Sequence, residues 1–196
     1  MDQLTEHLVL EPIKRAHADD LWLLHQDPVV ADWYGGTWSR TQAATFADRC
    51  ELAWTIDGVC KWIARDRESG RLVGRGGLSR MAVDAATTVQ IQELFSEPSW
   101  ERDRLELGWA LLSEFQGRGL ATEIGREALR FAFEILGAPV VVAFTERCNV
   151  ASRRVMERLG LHLRGEIHTY GLIEGPGDLH GDAPFTVYST ARATTP

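Results

Sequence analysis

Residues 105–112 (LELGWALL) read as a strand, followed by a short loop with Gly117 and Gly119 and a helical pattern from about Leu120. Such a loop suits a pyrophosphate. Glycines let the backbone approach an anion, and the free N–H groups of a helix start point at it along the helix dipole. A plain tight turn would use the same residues. Other phosphate loops fit less well: a Walker loop needs a lysine, and no lysine occurs beyond Lys61. A dinucleotide fingerprint needs Gly or Ala where Thr122 stands, although Glu146 at the end of the next strand imitates its ribose-binding acid. The loop also follows antiparallel-looking strands, whereas dinucleotide folds open with it.

The elements that must position this loop follow from local patterns. Residues 8–10 predict a first strand closed by Pro12, and residues 19–26 a short helix ended by Asp27-Pro28. Residues 29–38 form a loop or broken helix carrying Trp33, Tyr34 and Trp38. Ser39-Arg-Thr-Gln42 has capping-box spacing, so a helix starts there and runs to about Thr55. Residues 59–66 and 71–79 flank the turn Arg67-Glu-Ser-Gly70 as a hairpin. Residues 84–88 read as a turn and 89–95 as a further strand. Gly108, in the middle of its strand, marks a bulge or a close backbone approach.

Residues 120–136 give the clearest helix, with Ile124, Ala128, Phe131, Ala132 and Ile135 on one face. Residues 140–145 (VVVAFT) read as a buried strand, and Asn149 caps a helix over 150–159. Two final strands, 161–168 and 185–190, enclose a long Gly/Pro/acid-rich loop over 171–184. This order predicts a single α/β (α+β) domain over 1–196, with one mixed, mostly antiparallel sheet flanked by helices.

Composition narrows the function. Of 196 residues, 44% are hydrophobic and 25% charged, as in an ordinary globular chain, and the net charge is −7. That charge argues against nucleic acid or anionic membrane as partner and leans towards a cationic acceptor such as an amine. Cys50, Cys60 and Cys148 are odd in number and form no Cys-x-x-Cys pair, which predicts neither a disulfide framework nor a zinc knuckle and suits a reduced, cytoplasmic setting. The opening residues lack a signal-peptide pattern, and no window reads as a membrane span. The six histidines show no metal spacing; His162 and His168 are read as structural, and no metal is expected.

The run Gln116-x-x-Gly119-x-Ala121 after an ELGWALL strand is similar to the CoA-binding signature of the GNAT N-acetyltransferase superfamily. Asn149-Val-Ala-Ser152-Arg-Arg-Val-Met-Glu-Arg-Leu-Gly160 looks like that family's next motif. Together they most resemble its RimJ/RimL-like branch of ribosomal-protein N-terminal acetyltransferases, closely over roughly a quarter of the chain. The resemblance implies a GNAT-like sheet with splayed central strands and acetyl-CoA as cosubstrate. The CoA site would comprise Gln116, Gly117, Arg118, Gly119, Leu120, Ala121 and Thr122, with the N–H groups of 117–121 on the pyrophosphate. Pantetheine would pair with the backbone near Leu111 and Leu112, where an N–H could polarise the thioester carbonyl.

Asn149 would hydrogen-bond the pantetheine arm, cap its helix, or do both. Glu106 stands where the family often has its general base, and is otherwise an ordinary strand carboxylate. The family's usual acidic tyrosine is replaced by Met156, and the RimL-like branch suggests Ser152 instead. Trp33, Tyr34, Trp38 and the acids Glu174, Asp178 and Asp182 are candidates for the acceptor wall; Arg153-Arg154 could meet the 3′-phosphate. The implied acceptor is a primary amine, on a small molecule or a protein N-terminus, and a homodimer is compatible with it. A non-catalytic acyl-CoA sensor and a nicotinamide-dependent oxidoreductase are the competing readings.

Overall fold

The computed structural model describes residues 2–95, 100–173 and 178–192. One eight-stranded sheet runs in the order β1-β2-β3-β4-β5-β6-β8-β7. Its strands are β1 (Gln3–Leu4), β2 (Leu8–Pro12), β3 (Lys61–Asp66), β4 (Leu72–Arg80), β5 (Leu105–Leu111), β6 (Val140–Glu146), β7 (His162–Gly171) and β8 (His180–Ala191). Every neighbouring pair is antiparallel except β5 and β6. A parallel pair needs a crossover, and α5 (Leu120–Arg130), prolonged by a π turn (Phe131–Ile135), supplies it. The mixed, mostly antiparallel α/β architecture is as expected.

Three helices cover one face: α1 (Ala18–Leu24), α2 (Pro28–Asp32) and α3 (Arg40–Asp57). Leu21, Leu24, Ala43, Ala47 and Cys50 pack there against Ile63 and Ala110 of the sheet. On the other face Leu120, Ile124 and Ala128 of α5 pack against Trp62, Val73 and Leu107, with Met156 of α6 (Val150–Arg158). Gly76 lets α5 approach closely, since a Cβ there would lie 2.7 Å from Ile124 Cγ2. The capping box at Ser39 forms: its Oγ accepts from Gln42 N at 3.2 Å, while Gln42 Oε1 accepts from Ser39 N at 2.8 Å. Ser39→Ala is therefore expected to cost about 1 kcal/mol, read as a lower urea midpoint at unchanged slope.

Two expectations are corrected, and the alternative left open at Gly108 is decided. Residues 89–95 do not form a strand but belong largely to α4 (Ala86–Glu93). The alternation Val89-Gln-Ile-Gln fits a strand over four residues, but Thr88 and Ile91, three apart, are the buried pair. Gln90 then bonds both backbone groups of His168, covering the edge strand β7. Gly108 makes no bulge; it pairs in register with Gly77. The 171–184 loop is shorter than expected, because β7 continues to Gly171 and β8 begins at His180; residues 174–177 of it lie outside the described residues.

Candidate active site

β5 pairs with β4 along its whole length but meets β6 only at Glu106↔Val142, beyond which the two strands separate. In antiparallel pairing a residue's N–H and C=O share one side, and the side alternates along the strand. Leu112 N donates to Val73 O at 3.0 Å, so the polar backbone groups of Leu111 and Trp109 turn towards the gap. Gln116 Nε2 donates there to Leu111 O at 2.9 Å. Among the described residues, the groups left open at the gap are the N–H and C=O of Trp109 and the N–H of Leu111. Leu112, expected beside them, is engaged with β4 and packs into the core.

After β5 the chain turns through 113–119 into α5. Gly117 (φ +72°) and Gly119 (φ +83°) hold left-handed conformations that favour glycine. Apart from their chain neighbours, no atom of the described residues lies within 4 Å of where their Cβ atoms would stand. None of the N–H groups from Gly117 to Thr122 meets an acceptor among the described residues. Gln116, Gly117, Gly119, Leu120, Ala121 and Thr122 all line a cavity of about 1150 Å³ that also reaches Leu111 and Asn149. Arg118 is outside its wall, with its guanidinium 5.4 Å from the Phe115 ring. Asp27, which the sequence reading used only as a helix stop, pins this turn by accepting from Ser113 N and Oγ, both at 2.8 Å.

The same cavity passes Glu106. Its Oε2 accepts from Lys61 Nζ and from Ser79 Oγ, each at 2.7 Å, while Oε1 has no donor among the described residues. Lys61 reaches across from β3 because Gly77 and Gly108 stand opposite it in one row. A Cβ on Gly108 would come 2.7 Å from Glu106 Oε1 and 3.3 Å from Lys61 Nζ. The strand glycine thus clears room for an ion pair rather than bending the strand. Lys61 was missed in the sequence, where it resembles an ordinary strand-end charge.

On the far wall Asn149 Oδ1 caps α6 by accepting from Ser152 N at 3.0 Å. Its amide nitrogen has no acceptor among the described residues. Ser152 lines the cavity with its hydroxyl unbonded to them, and Met156, in the usual tyrosine position, is buried beside it. Arg154 also lines the cavity, whereas Arg153 turns away to Tyr188 Oη (3.2 Å) and Arg147 O (3.1 Å). Glu146, at the end of β6, lines the cavity too; burial pushes its carboxyl above the ordinary value against a Thr145 hydroxyl bond at 3.2 Å.

The α1–α3 side of the cavity is aromatic. Trp33 and Tyr34 line it, while Trp38 lies behind, stacked on His25 at 3.5 Å between ring centroids. Arg75 of β4 lines the cavity among these rings. Asp178 is exposed, Asp182 is exposed on β8 beside His168, and Glu174 lies outside the described residues. His25 is fully buried with both ring nitrogens unpaired among the described residues, and burial, seconded by Arg75, lowers its pKa to about 3.

That depression sets a pH dependence. Above pH 6.5 the ring is neutral folded and unfolded, and its contribution is fully present; below, only the unfolded chain takes up the proton until pH about 3. Going from neutral pH to pH 5 is thus expected to remove about 2 kcal/mol of stability. Urea titrations at both pH values should show this loss sharply reduced in His25→Phe.

Among the described residues no group of three or more His, Cys, Asp or Glu could hold a metal, and no helix is long and apolar enough to cross a membrane. A family model described as the acetyltransferase (GNAT) domain matches residues 7–162. FsC-acetyl coenzyme A-N(2)-transacetylase of Aspergillus fumigatus is 28% identical over 189 residues, covering 93% of this chain and 74% of that protein. The ribosomal-protein-S5-alanine acetyltransferase of Vibrio fischeri superposes with a TM-score of 0.72 at 16% identity, covering 97% of this chain and 96% of that one. The microcin C7 self-immunity acetyltransferase MccE, solved with acetyl-CoA and AMP, does so at 0.68 and 16%, covering 95% and 93%. This chain belongs to the GNAT family and is an acyl-CoA-dependent acetyltransferase.

Proposed function

We propose that the whole chain, 1–196, is one catalytic domain that transfers an acetyl group from acetyl-CoA to a primary amine by direct attack in a ternary complex. The observation that carries this reading is the row of unpartnered N–H groups from Gly117 to Thr122, opening on a cavity that continues to Glu106. Such a row fits a pyrophosphate, and the glycines leave its approach clear. Trp109 and Leu111 offer strand-edge groups to a pantetheine arm, and the Asn149 amide can donate to it across the gap.

When bound, acetyl-CoA supplies an activated thioester. Glu106 Oε1, the carboxylate oxygen left without a donor, takes the proton released by the acceptor amine. Lys61 and Ser79 fix that carboxylate through its other oxygen. Ser152 donates its hydroxyl proton to the departing sulfur, a task Met156 cannot perform. An N–H of Trp109 or Leu111 at the gap polarises the carbonyl. We assign the chain to the RimJ/RimL-like branch on the combination of its Gln116–Ala121 and Asn149–Gly160 motifs, and propose that it acts in the cytoplasm. Among its likenesses the Vibrio fischeri protein is a ribosomal-protein-S5-alanine acetyltransferase, and the Aspergillus enzyme is an FsC-acetyl coenzyme A-N(2)-transacetylase.

Met156 at the tyrosine position favours a second reading, a non-catalytic acyl-CoA-binding module. Calorimetric titration with acetyl-CoA, with NADH as control, followed by thiol release against a panel of amines, separates the two. Binding with turnover supports the transferase, and binding without turnover supports the module. Failure to bind acetyl-CoA would remove the assignment of the glycine loop.

A further inference from the structure

Arg75 is 6% exposed, yet it forms no ion pair among the described residues. Its Nη2 donates to Tyr34 Oη at 2.8 Å, and its Nε is buried without an acceptor. The guanidinium is held by rings instead, 5.4 Å from Tyr34, 5.9 Å from Trp38 and 4.8 Å from Phe46. Stacking compensates part of the charge but leaves Nε without an acceptor among the described residues, and a buried charge without a counter-ion is costly. No carboxylate pairs with it among the described residues, and His25 is a neutral ring. In the Cys50–Cys60 pair the hydrogen bond from Cys50, seconded by Lys61 and Arg75, lowers the pKa of the Cys60 thiol while that of Cys50 is raised. The cation nonetheless lines the cavity, so whatever enters can complete it.

Its place relative to Glu106 sets the geometry. Arg75 stands opposite Ala110 on β5, and Ser79 opposite Glu106. Side chains of Arg75, Lys61 and Glu106 therefore share the face covered by α1–α3. Along the sheet, Arg75 begins about 7 Å from the Gly108 row, two residues at roughly 3.3 Å each. A molecule with an amine at one end and an anion a few bonds away spans that interval.

We propose that Arg75 binds a carboxylate of the acceptor, so that the amine acetylated here belongs to a small, amino-acid-like molecule. This rests on the transferase reading of the same cavity. A planar guanidinium edge matches the two oxygens of one carboxylate, and the aromatic box fixes it in place. A polyamine would instead bring a second positive charge against a cation that has no carboxylate partner among the described residues. A peptide main chain beyond its terminal amine offers Arg75 only neutral carbonyl oxygens, which accept its hydrogen bonds but bring no counter-charge. The acidic net charge of the chain is a property of its outside, and this pocket has the opposite sign.

The test compares L-amino acids with their carboxamides, and with spermidine, as acceptors in a thiol-release assay on wild type, Arg75→Met and Arg75→Lys. Free acids should be preferred by at least about a hundredfold in kcat/KM, as expected when a site built to pair a group meets an analogue lacking it. Arg75→Met should abolish the preference, chiefly through KM, and Arg75→Lys should restore part of it. Thermal melts without acceptor should show Arg75→Met no less stable than wild type, because an uncompensated buried charge is gone. Thermal shifts with the amino acids should appear in wild type and vanish in Arg75→Met, whether or not turnover occurs. Carboxamides or spermidine acetylated as well as the acids would overturn the proposal. So would a lower melting temperature for Arg75→Met together with no shift by any acid in wild type. Acetyl-CoA calorimetry on the same proteins keeps the two readings apart: loss of acetyl-CoA binding in wild type indicts the transferase site, not Arg75.

Discussion

Lys61→Met is expected to destabilise the protein by at least about 3 kcal/mol, the lower end for breaking a buried pair by removing one partner. Both side chains are largely out of water, at 7% and 16% exposure, so Glu106 would be left charged in a poorly solvated place. Ser79 gives it one remaining donor on Oε2, too little to replace an ammonium. The double variant Lys61→Met/Glu106→Gln should recover most of the loss, because a neutral amide no longer needs a counter-ion. Urea unfolding of the four proteins forms a cycle. If the losses simply add, the two groups do not interact and the carboxylate is held by other means. Activity adds a second reading: the double variant should be folded and slow, which isolates the chemical role of the carboxylate from its structural one.

Gly119→Glu should bind acetyl-CoA about a thousandfold more weakly than wild type in calorimetry. A carboxylate about 4 Å from a pyrophosphate costs about 4 kcal/mol at the effective dielectric of a protein surface, and each 1.4 kcal/mol is a factor of ten. Steric loss is not the reason, since the space around this position is open. Gly119→Ala is the control. It carries the strain of a left-handed residue, about 1–2 kcal/mol of stability, without the charge. It should retain much of the affinity at a lower melting temperature. Equal affinities of Glu and Ala variants would show that the anion does not sit at this helix start.

The features legible in the sequence are those written locally. The glycine loop, the Ser39 capping box and the Asn149 cap each need only a few consecutive residues, and the hairpin at Arg67–Gly70 needs only its turn. The residues missed are those whose partners arrive by strand pairing. Lys61 meets Glu106 only once β3, β4 and β5 are side by side with glycines between them. Arg75 sits in a Gly-rich run, LVGRGGLSR, where a lone basic residue reads as solvent-facing until helices α1–α3 close over it. Misreading α4 has a different cause: its short run satisfies two periods at once, and contact with β7 decides between them.

The single bridge at Glu106↔Val142 divides the sheet into two panels, β1 to β5 and β6 to β8, which share little backbone bonding. Each panel carries half of the candidate machinery: Lys61, Arg75 and Glu106 on the first, Asn149 and Ser152 behind the second. An extended ligand arm seated between the panels would act as a keystone, supplying rungs that the ladder lacks. Affinity and rigidity then become one quantity, because every bond the arm makes across the slot also stiffens the sheet. Amide exchange at Trp109 and Leu111 reports that coupling from inside the slot, and exchange on β6 reports it from the opposite bank.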